Sequence, residues 1–533
     1  MSFSNRNNPY NFDSFIRWRN SFDYYSDDQF IQKIVRHYSG ADWPAVDEHI
    51  REFSTKVSFR WRDFAEKAAR PESRPYILHY DAHNHRIDRI VLPMETRAMA
   101  EEVFQEALFS ETSNPWVRLT KMFLIYQNGE ACIACPLTCT EGLVAVLDAF
   151  ADSPETLQIL AHCRDGYIGD FAVGSQYLTE IQGGSDVPAN MLEAVQDGDF
   201  WRLYGTKFFC SVTHADYAVV TAKPVGSEKI AIFVVPSWLP GDKVKERRNG
   251  CTINRLKWKM GTAELPTAEI TFNGAVAYQL GSLDRGLANV VGIVLTYSRL
   301  TVGLSGAATM TRAAREAAKY SDFREAFGQK VGALPMAAAQ IANLEKHARR
   351  STAAAFKIYK HFLELDGKIK VSINMKEPLQ LRQKRFDVRE LVMLQKITCS
   401  WDAVDQLRMA CSIFGGNGVI EDFSALPRLY RDAMVNELWE GPRNVLLSQI
   451  HRDLRQARSW YPPAMFINSL LDGTARSIKA EFIEEIEEVV ALPNLTENND
   501  NTIEICQKWD RLSHRLFHAY QDQVLKEVNE GLQ

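Results

Sequence analysis

Cysteine is scarce, with nine in 533 residues and an odd number at that. A secreted disulfide scaffold is excluded, and the thiols fit a reducing compartment. Long apolar runs are missing too. The longest, near residues 131–150, is broken by Pro136, Glu141 and Asp148, too interrupted to span a membrane. The opening MSFSNRNNPYNF lacks the apolar core of a secretory leader. The expectation is a soluble cytoplasmic protein without a membrane partner. No sign of charge dominates: 62 basic residues stand against 67 acidic, a net charge of −5. General affinity for nucleic acid has no support in that balance. There is no Walker motif, no G-x-G-x-x-G behind a strand and no HExxH among the 12 histidines. Nicotinamide binding is unsupported, and no metal site is expected. His79, His83 and His85 lie with Asp81, Asn84 and Asp88 in what reads as a solvated loop. Cys132, Cys135 and Cys139 have no fourth cysteine nearby and read as small buried thiols.

What is present is ordinary globular composition, 46% apolar and 24% charged, enough for several domains. Residues 1–40 read as an aromatic, polar arm. Residues 41–167 read as helical, with Met99, Ala100, Val103, Phe104, Ala107 and Leu108 at spacings of three and four. Between 168 and 283 the pattern turns to short β-branched and aromatic runs (200–204, 218–222, 230–235, 268–272) punctuated by Gly and Asp, an antiparallel β-domain. From 284 to 451 come helices longer than 25 residues, dense in alanine, as in a closely packed bundle. Residues 452–533 form a helical extension. The fold class is α+β, in the order α, β, α, plus the appended helices.

Five stretches could carry chemistry. Tyr177-Leu178-Thr179-Glu180 followed by Gly183-Gly184-Ser185-Asp186 offers backbone N–H groups and hydroxyls suited to a phosphate or a ring carbonyl. Taken alone it is also a plain turn. Lys207-Phe208-Phe209-Cys210-Ser211 is an aromatic strand ending in a hydroxyl, equally at home in a core. Arg324 to Gly328 and Phe414-Gly415-Gly416-Asn417-Gly418 follow long helices, where glycine is commonly a cap. Trp439-Glu440-Gly441 puts one carboxylate beside small residues.

In order and spacing, these five stretches resemble the flavin-dependent acyl-CoA dehydrogenases. Thr179, Glu180, Gly183, Gly184, Ser185 and Asp186 match the family's first signature. Lys207, Phe209 and Ser211 resemble its strand, and Arg324, Phe327 and Gly328 its post-helix motif. Gly415, Gly416 and Gly418 with Arg428, Arg431 and Asp432 resemble the second signature, and Trp439-Glu440-Gly441 the base motif. Cys135-Pro136-x-Thr138-x-Thr140 and Pro427-Arg428-Leu429-Tyr430-Arg431 look like the AidB-type branch. The chain departs from many members at Ser412 and at Pro442-Arg443.

The resemblance implies an N-terminal helical domain, a central β-domain, a C-terminal bundle and bound FAD. It implies α,β-dehydrogenation of an acyl-CoA thioester with Glu440 as base, since Thr296-Tyr297-Ser298-Arg299 holds no acid at the other branches' position. Leu178, Thr179, Gly184, Ser185, Phe209, Cys210, Ser211, Arg324, Phe327, Gly415, Gly416 and Asn444 would contact FAD. Thr179, Ser185, Ser211, Arg299 and Gly441 would contact substrate. An electron-transfer flavoprotein would accept the electrons, and the assembly would be a homotetramer with FAD shared across subunits. The branch also admits an acyl or lipid sensor with little turnover, or a DNA-associated alkylation-response protein. DNA is not an expected partner, because residues 451–533 carry 9 Lys/Arg against 14 Asp/Glu.

Overall fold

The computed structural model describes residues 11–166, 170–365 and 375–531. Residues 1–10 of the expected arm, and the 167–168 boundary, lie outside them. Helices Asp13–Ser21 and Gln29–Ser39 pack on the body. Phe15, 1% exposed, meets Tyr320 and Phe414 edge-on at 5.4 and 5.8 Å. Further N-terminal helices follow, several started by local chemistry. Asn114 caps Pro115–Tyr126, and Ser153 with Thr156 forms a capping box for Pro154–Asp165.

One expectation holds only in part in this region. His83, Asn84 and His85 lie in an exposed turn, but His79 and Asp88 stand on the strands of an antiparallel hairpin, β1 (Tyr76–Tyr80) and β2 (Arg86–Val91). Its order comes from tertiary contacts. Asp88 faces His79 Nδ1 at 2.6 Å and accepts from Arg86 Nε at 3.0 Å and Ile253 N at 2.9 Å. A buried carboxylate with such partners fixes a ladder that composition alone reads as loop.

The β-domain contains β3 (Gly174–Tyr177), β4 (Glu193–Asp197), β5 (Phe200–Ser211), β6 (Tyr217–Pro224), β7 (Ala231–Pro236), β8 (Cys251–Leu256) and β9 (Thr267–Gln279). The pairings β6–β4–β5–β9–β7–β6 close a ring, with β3 beside β6 and β8 beside β9. Two pairings, β3–β6 and β4–β6, are parallel, and the rest are antiparallel. The alternation along β5 turns Trp201 and Leu203 into the core with Phe233 and Ile253, and register shifts along the strand bring Cys210 into the same core. Phe209 is left half exposed.

The bundle is built on Gly286–Phe323, Pro335–Leu363 and Leu379–Phe414. Gly286–Phe323 is apolar and long enough to cross a membrane, yet it runs through the bundle with Ala307, Ala308 and Ala313 fully buried. Small residues set its distance to Leu379–Phe414. A Cβ on Gly303 would lie 2.4 Å from Gln395, and one on Gly306 2.8 Å from the Cys399 carbonyl. The extension adds Pro463–Leu470, Arg476–Ala491 and Asp500–Glu530. The last buries Ile505, Trp509, Leu512, Leu516, Tyr520, Val524 and Val528, one stripe at helical spacing, against Pro335–Leu363 and Leu379–Phe414. The acidic run in Arg476–Ala491 is partly neutralised: Glu485 pairs with Arg515, Glu487 with Arg458 and Glu488 with Lys508.

Candidate active site

The loop after β3 is held by a buried ion pair. Lys207, with no exposed surface, donates to Glu180 Oε1 at 2.7 Å, to the Leu178 carbonyl at 3.1 Å and to Thr221 Oγ1 at 3.1 Å. Glu180 also accepts from Met191 N at 2.7 Å and Leu192 N at 3.2 Å. These donors hold its carboxyl below the usual range against the upward pull of burial. Glu180 and Lys207 are therefore the loop's anchor. Asn190 adds a bond from Nδ2 to the Leu178 carbonyl at 2.6 Å. At Gly183 a Cβ would fall 2.3 Å from Asn190 Oδ1, so only glycine fits. Gly184 and Ser185 are left exposed beside Thr179.

Next to this loop, β5 presents Phe209 and Ser211. Lys257 Nζ sits over the Phe209 ring at 4.5 Å, and Ser211 Oγ lies 3.1 Å from Thr267 Oγ1. Cys210 turns the other way and is wholly buried, so only its main chain is available to a ligand. A half-exposed aromatic flanked by hydroxyls, a cation and the open Gly184 fits a flat, polar-edged ring system with phosphates. FAD is such a group, and Leu178, Thr179, Gly184, Ser185, Phe209 and Ser211 are the residues that would hold its ring end.

The turn after helix Leu426–Leu438 carries Glu440. It has φ of +59°, left-handed and unusual for a side-chain-bearing residue, and Gly441 follows at +98°. Such a backbone costs on the order of 1–3 kcal/mol and needs surrounding support. Two buried cations supply it. Arg299 Nε donates to the Glu440 carbonyl at 3.0 Å. Lys396 Nζ donates to the carbonyls of Glu437 and Gly441, both at 2.8 Å. Burial raises Glu440 to about 7, although Arg299 and Lys396 pull it down. Burial pushes Lys396 down to about 7. A carboxyl poised there exchanges protons readily at neutral pH.

This turn forms part of the wall of a cavity of about 1330 Å³. Gly184 and Ser185 line one end, and Arg299, Gly441 and Asn444 also reach it. Apolar walls come from Leu295, Val392, Met393, Ile397 and Leu447. A π-helical stretch, Val290–Val294, interrupts the long bundle helix where Val291 and Gly292 face the cavity. The extension closes the same space with Leu495, Cys506, Trp509 and Asp510. It is latched there by Trp509 Nε1 donating to the Leu447 carbonyl at 3.0 Å and by Arg443 Nε donating to Asp510 Oδ1 at 2.5 Å.

Arg324, Phe327, Gly415 and Gly416 do not line this cavity. Phe327 is 94% exposed, and a Cβ on Gly415 or Gly416 would meet nothing within 4 Å. Asn417 donates to the Tyr320 hydroxyl at 3.0 Å, which places the glycine turn at the far end of the long helix. Sequence reasoning missed Lys396 and the extension's wall residues. Lys396 lies 44 positions before the base within an apolar helix, so no local motif marks it.

The model of the acyl-CoA dehydrogenase C-terminal domain matches residues 284–455, and that of the middle domain 175–275. The model of the adaptive response protein AidB N-terminal domain matches 17–164. Acyl-CoA dehydrogenase family member 11 of Caenorhabditis elegans is 28% identical over 80% of this chain and 70% of its own. The putative acyl-CoA dehydrogenase AidB of Escherichia coli is 25% identical over 84% and 80%. Among solved structures, Caenorhabditis elegans ACDH-11 in complex with C11-CoA superposes with a TM-score of 0.80 at 24% identity, covering 95% of this chain and 88% of that one. Through three consecutive domain matches and a shared fold, the chain belongs to the FAD-dependent acyl-CoA dehydrogenase family, in its AidB-like branch.

Proposed function

We propose that the protein oxidises an acyl-CoA thioester to its α,β-enoyl form, with Glu440 removing the α-proton. The observation that carries this is the Glu440 carboxyl, raised by burial to about 7, on a turn whose Leu438 and Gly441 reach a cavity walled by Leu295, Met393 and Ile397 together with polar groups such as Arg299 and Asn444. That cavity exceeds the ~300–1,000 Å³ of common small-molecule clefts, leaving room for a ring system and an acyl chain together. Bound FAD supplies the acceptor for the β-hydrogen and its electron pair. The chain's own residues do the rest. Arg299 and Lys396 fix the turn, so that the Glu440 N–H is offered to the thioester carbonyl and its carboxylate to the α-carbon. Met393, Ile397 and Leu447 hold the acyl chain and exclude water. An electron-transfer flavoprotein takes the electrons onward.

The exposed Phe327 and glycine turn suit a cofactor site completed by another subunit, in a homotetramer whose mass light scattering would report.

The test is anaerobic bleaching of the flavin by a panel of acyl-CoA thioesters, wild type beside Glu440→Gln. Chain-length-dependent bleaching that vanishes in the variant is expected. A flavin that no thioester bleaches refutes the reading and favours the sensor alternative.

A further inference from the structure

Away from the cavity, Pro335–Leu363, Leu379–Phe414 and Asp500–Glu530 bring four polar side chains together. Asp402, 3% exposed, accepts from His514 Nε2 at 2.9 Å on one oxygen and from His518 Nε2 at 2.8 Å on the other. His347 Nδ1 lies 3.4 Å from that second oxygen. One ligating atom each from His347, Asp402 and His518 lies within 4.8 Å of the other two. His514 and His518 stand one turn apart on a single helix face.

We propose that His347, Asp402 and His518 bind a divalent transition metal of the zinc class, with His514 steering the carboxylate from its other oxygen. Two imidazoles and a carboxylate are borderline N and O donors, the set that suits zinc, and three protein ligands leave a position for water.

The neighbouring cation has somewhere to go. Arg350 Nη2 donates to the His347 ring at 3.0 Å and lies 3.8 Å from Asp402, so it must leave both for a metal to bind, and its Nη1 lies 3.6 Å from Asp522 Oδ1. That oxygen is buried and has no hydrogen-bond partner, so the guanidinium turns toward it as metal enters. Lys346 also pairs with Asp522, at 3.1 Å. The metal would pin the extension to the bundle. Trp509, in the cavity wall, precedes His518 by nine residues, ~13 Å along the same helix.

The test uses the flavin-loaded full chain, stripped with chelator and then equilibrated by dialysis against Zn(II), with bound metal counted by mass spectrometry. One zinc per chain is expected. Uptake is lost in His347→Ala and His518→Ala, and affinity falls about 10–100-fold in His514→Ala. Substoichiometric uptake by the wild type, or uptake unchanged in His347→Ala and His518→Ala, overturns the proposal. Should those variants lose flavin, diethyl pyrocarbonate labelling of the wild type decides. Zinc must protect His347 and His518, and equal labelling with and without zinc overturns the site.

Discussion

Lys396→Met isolates what one buried cation does for the base. In the native protein Lys396 donates to two carbonyls of the base turn and pulls the Glu440 carboxyl down. Both groups titrate near 7, so the ammonium is charged on the acid side of the Glu440 transition, where its attraction matters. Methionine matches the stem and removes the charge. The folded-state pKa of Glu440 then rises, and less base is ionised at any pH below the new value. A neighbouring charge within a buried site shifts a carboxyl by ~1–3 units, and each unit is about 1.36 kcal/mol or tenfold in ionised base. The ascending limb of the kcat/KM profile should therefore move to higher pH by about one unit or more. At about pH 6 that is roughly a tenfold loss relative to wild type. The plateau should fall as well, because two carbonyls of the strained turn lose their donor. The assay is steady-state oxidation of the best acyl-CoA across pH, with melting curves to confirm folding. A plateau that falls while the limb stays in place would refute the electrostatic argument and leave Lys396 as a support for the turn.

Three further outcomes follow from the same geometry. Gly183→Ala forces a Cβ against Asn190 Oδ1, so it should cost about 1–3 kcal/mol and weaken flavin retention, read by melting and by flavin release on dilution. Lys207→Met strands buried Glu180 and should cost about 3–5 kcal/mol at neutral pH in a denaturant titration. Because the folded pKa of Glu180 is depressed, that contribution is present above its unfolded value and lost as pH falls through the folded one. The gap between wild type and variant should thus narrow in acid. Cys506→Phe fills the extension's end of the cavity and should shift preference toward shorter acyl chains by about tenfold or more, measured as ratios of kcat/KM.

Elements with strong periodicity were legible in the sequence. The three long helices announce themselves by their length and dense small residues, and the strands β5, β6, β7 and β9 by β-branched and aromatic runs, β7 being buried on both faces. The glycine-rich loop was legible as a motif, though not the division of labour within it, where Glu180 and Lys207 hold the loop and Thr179 and Ser185 face outward. The hairpin β1–β2 was not legible, since Tyr76, Leu78 and Tyr80 are exposed and its order depends on Asp88 reaching β8. Nor were the contacts between distant positions. Lys396 beneath the base turn and Trp509 in the cavity wall acquire their roles only when helices pack. His347, Asp402 and His518 meet from three helices, while the histidines that look clustered in the chain, at 79, 83 and 85, sit along a hairpin.

The wall built by Cys506, Trp509 and Asp510 also sets a timetable. Glu440 leaves the ribosome some 70 residues before Asp510, roughly 4–14 s at ordinary rates of synthesis. During that interval Met393, Ile397 and Leu447 face water with no lid over them. The chamber gains its last wall only after Glu440 has been made, so a nascent chain stalled between those points carries Met393, Ile397 and Leu447 without that wall.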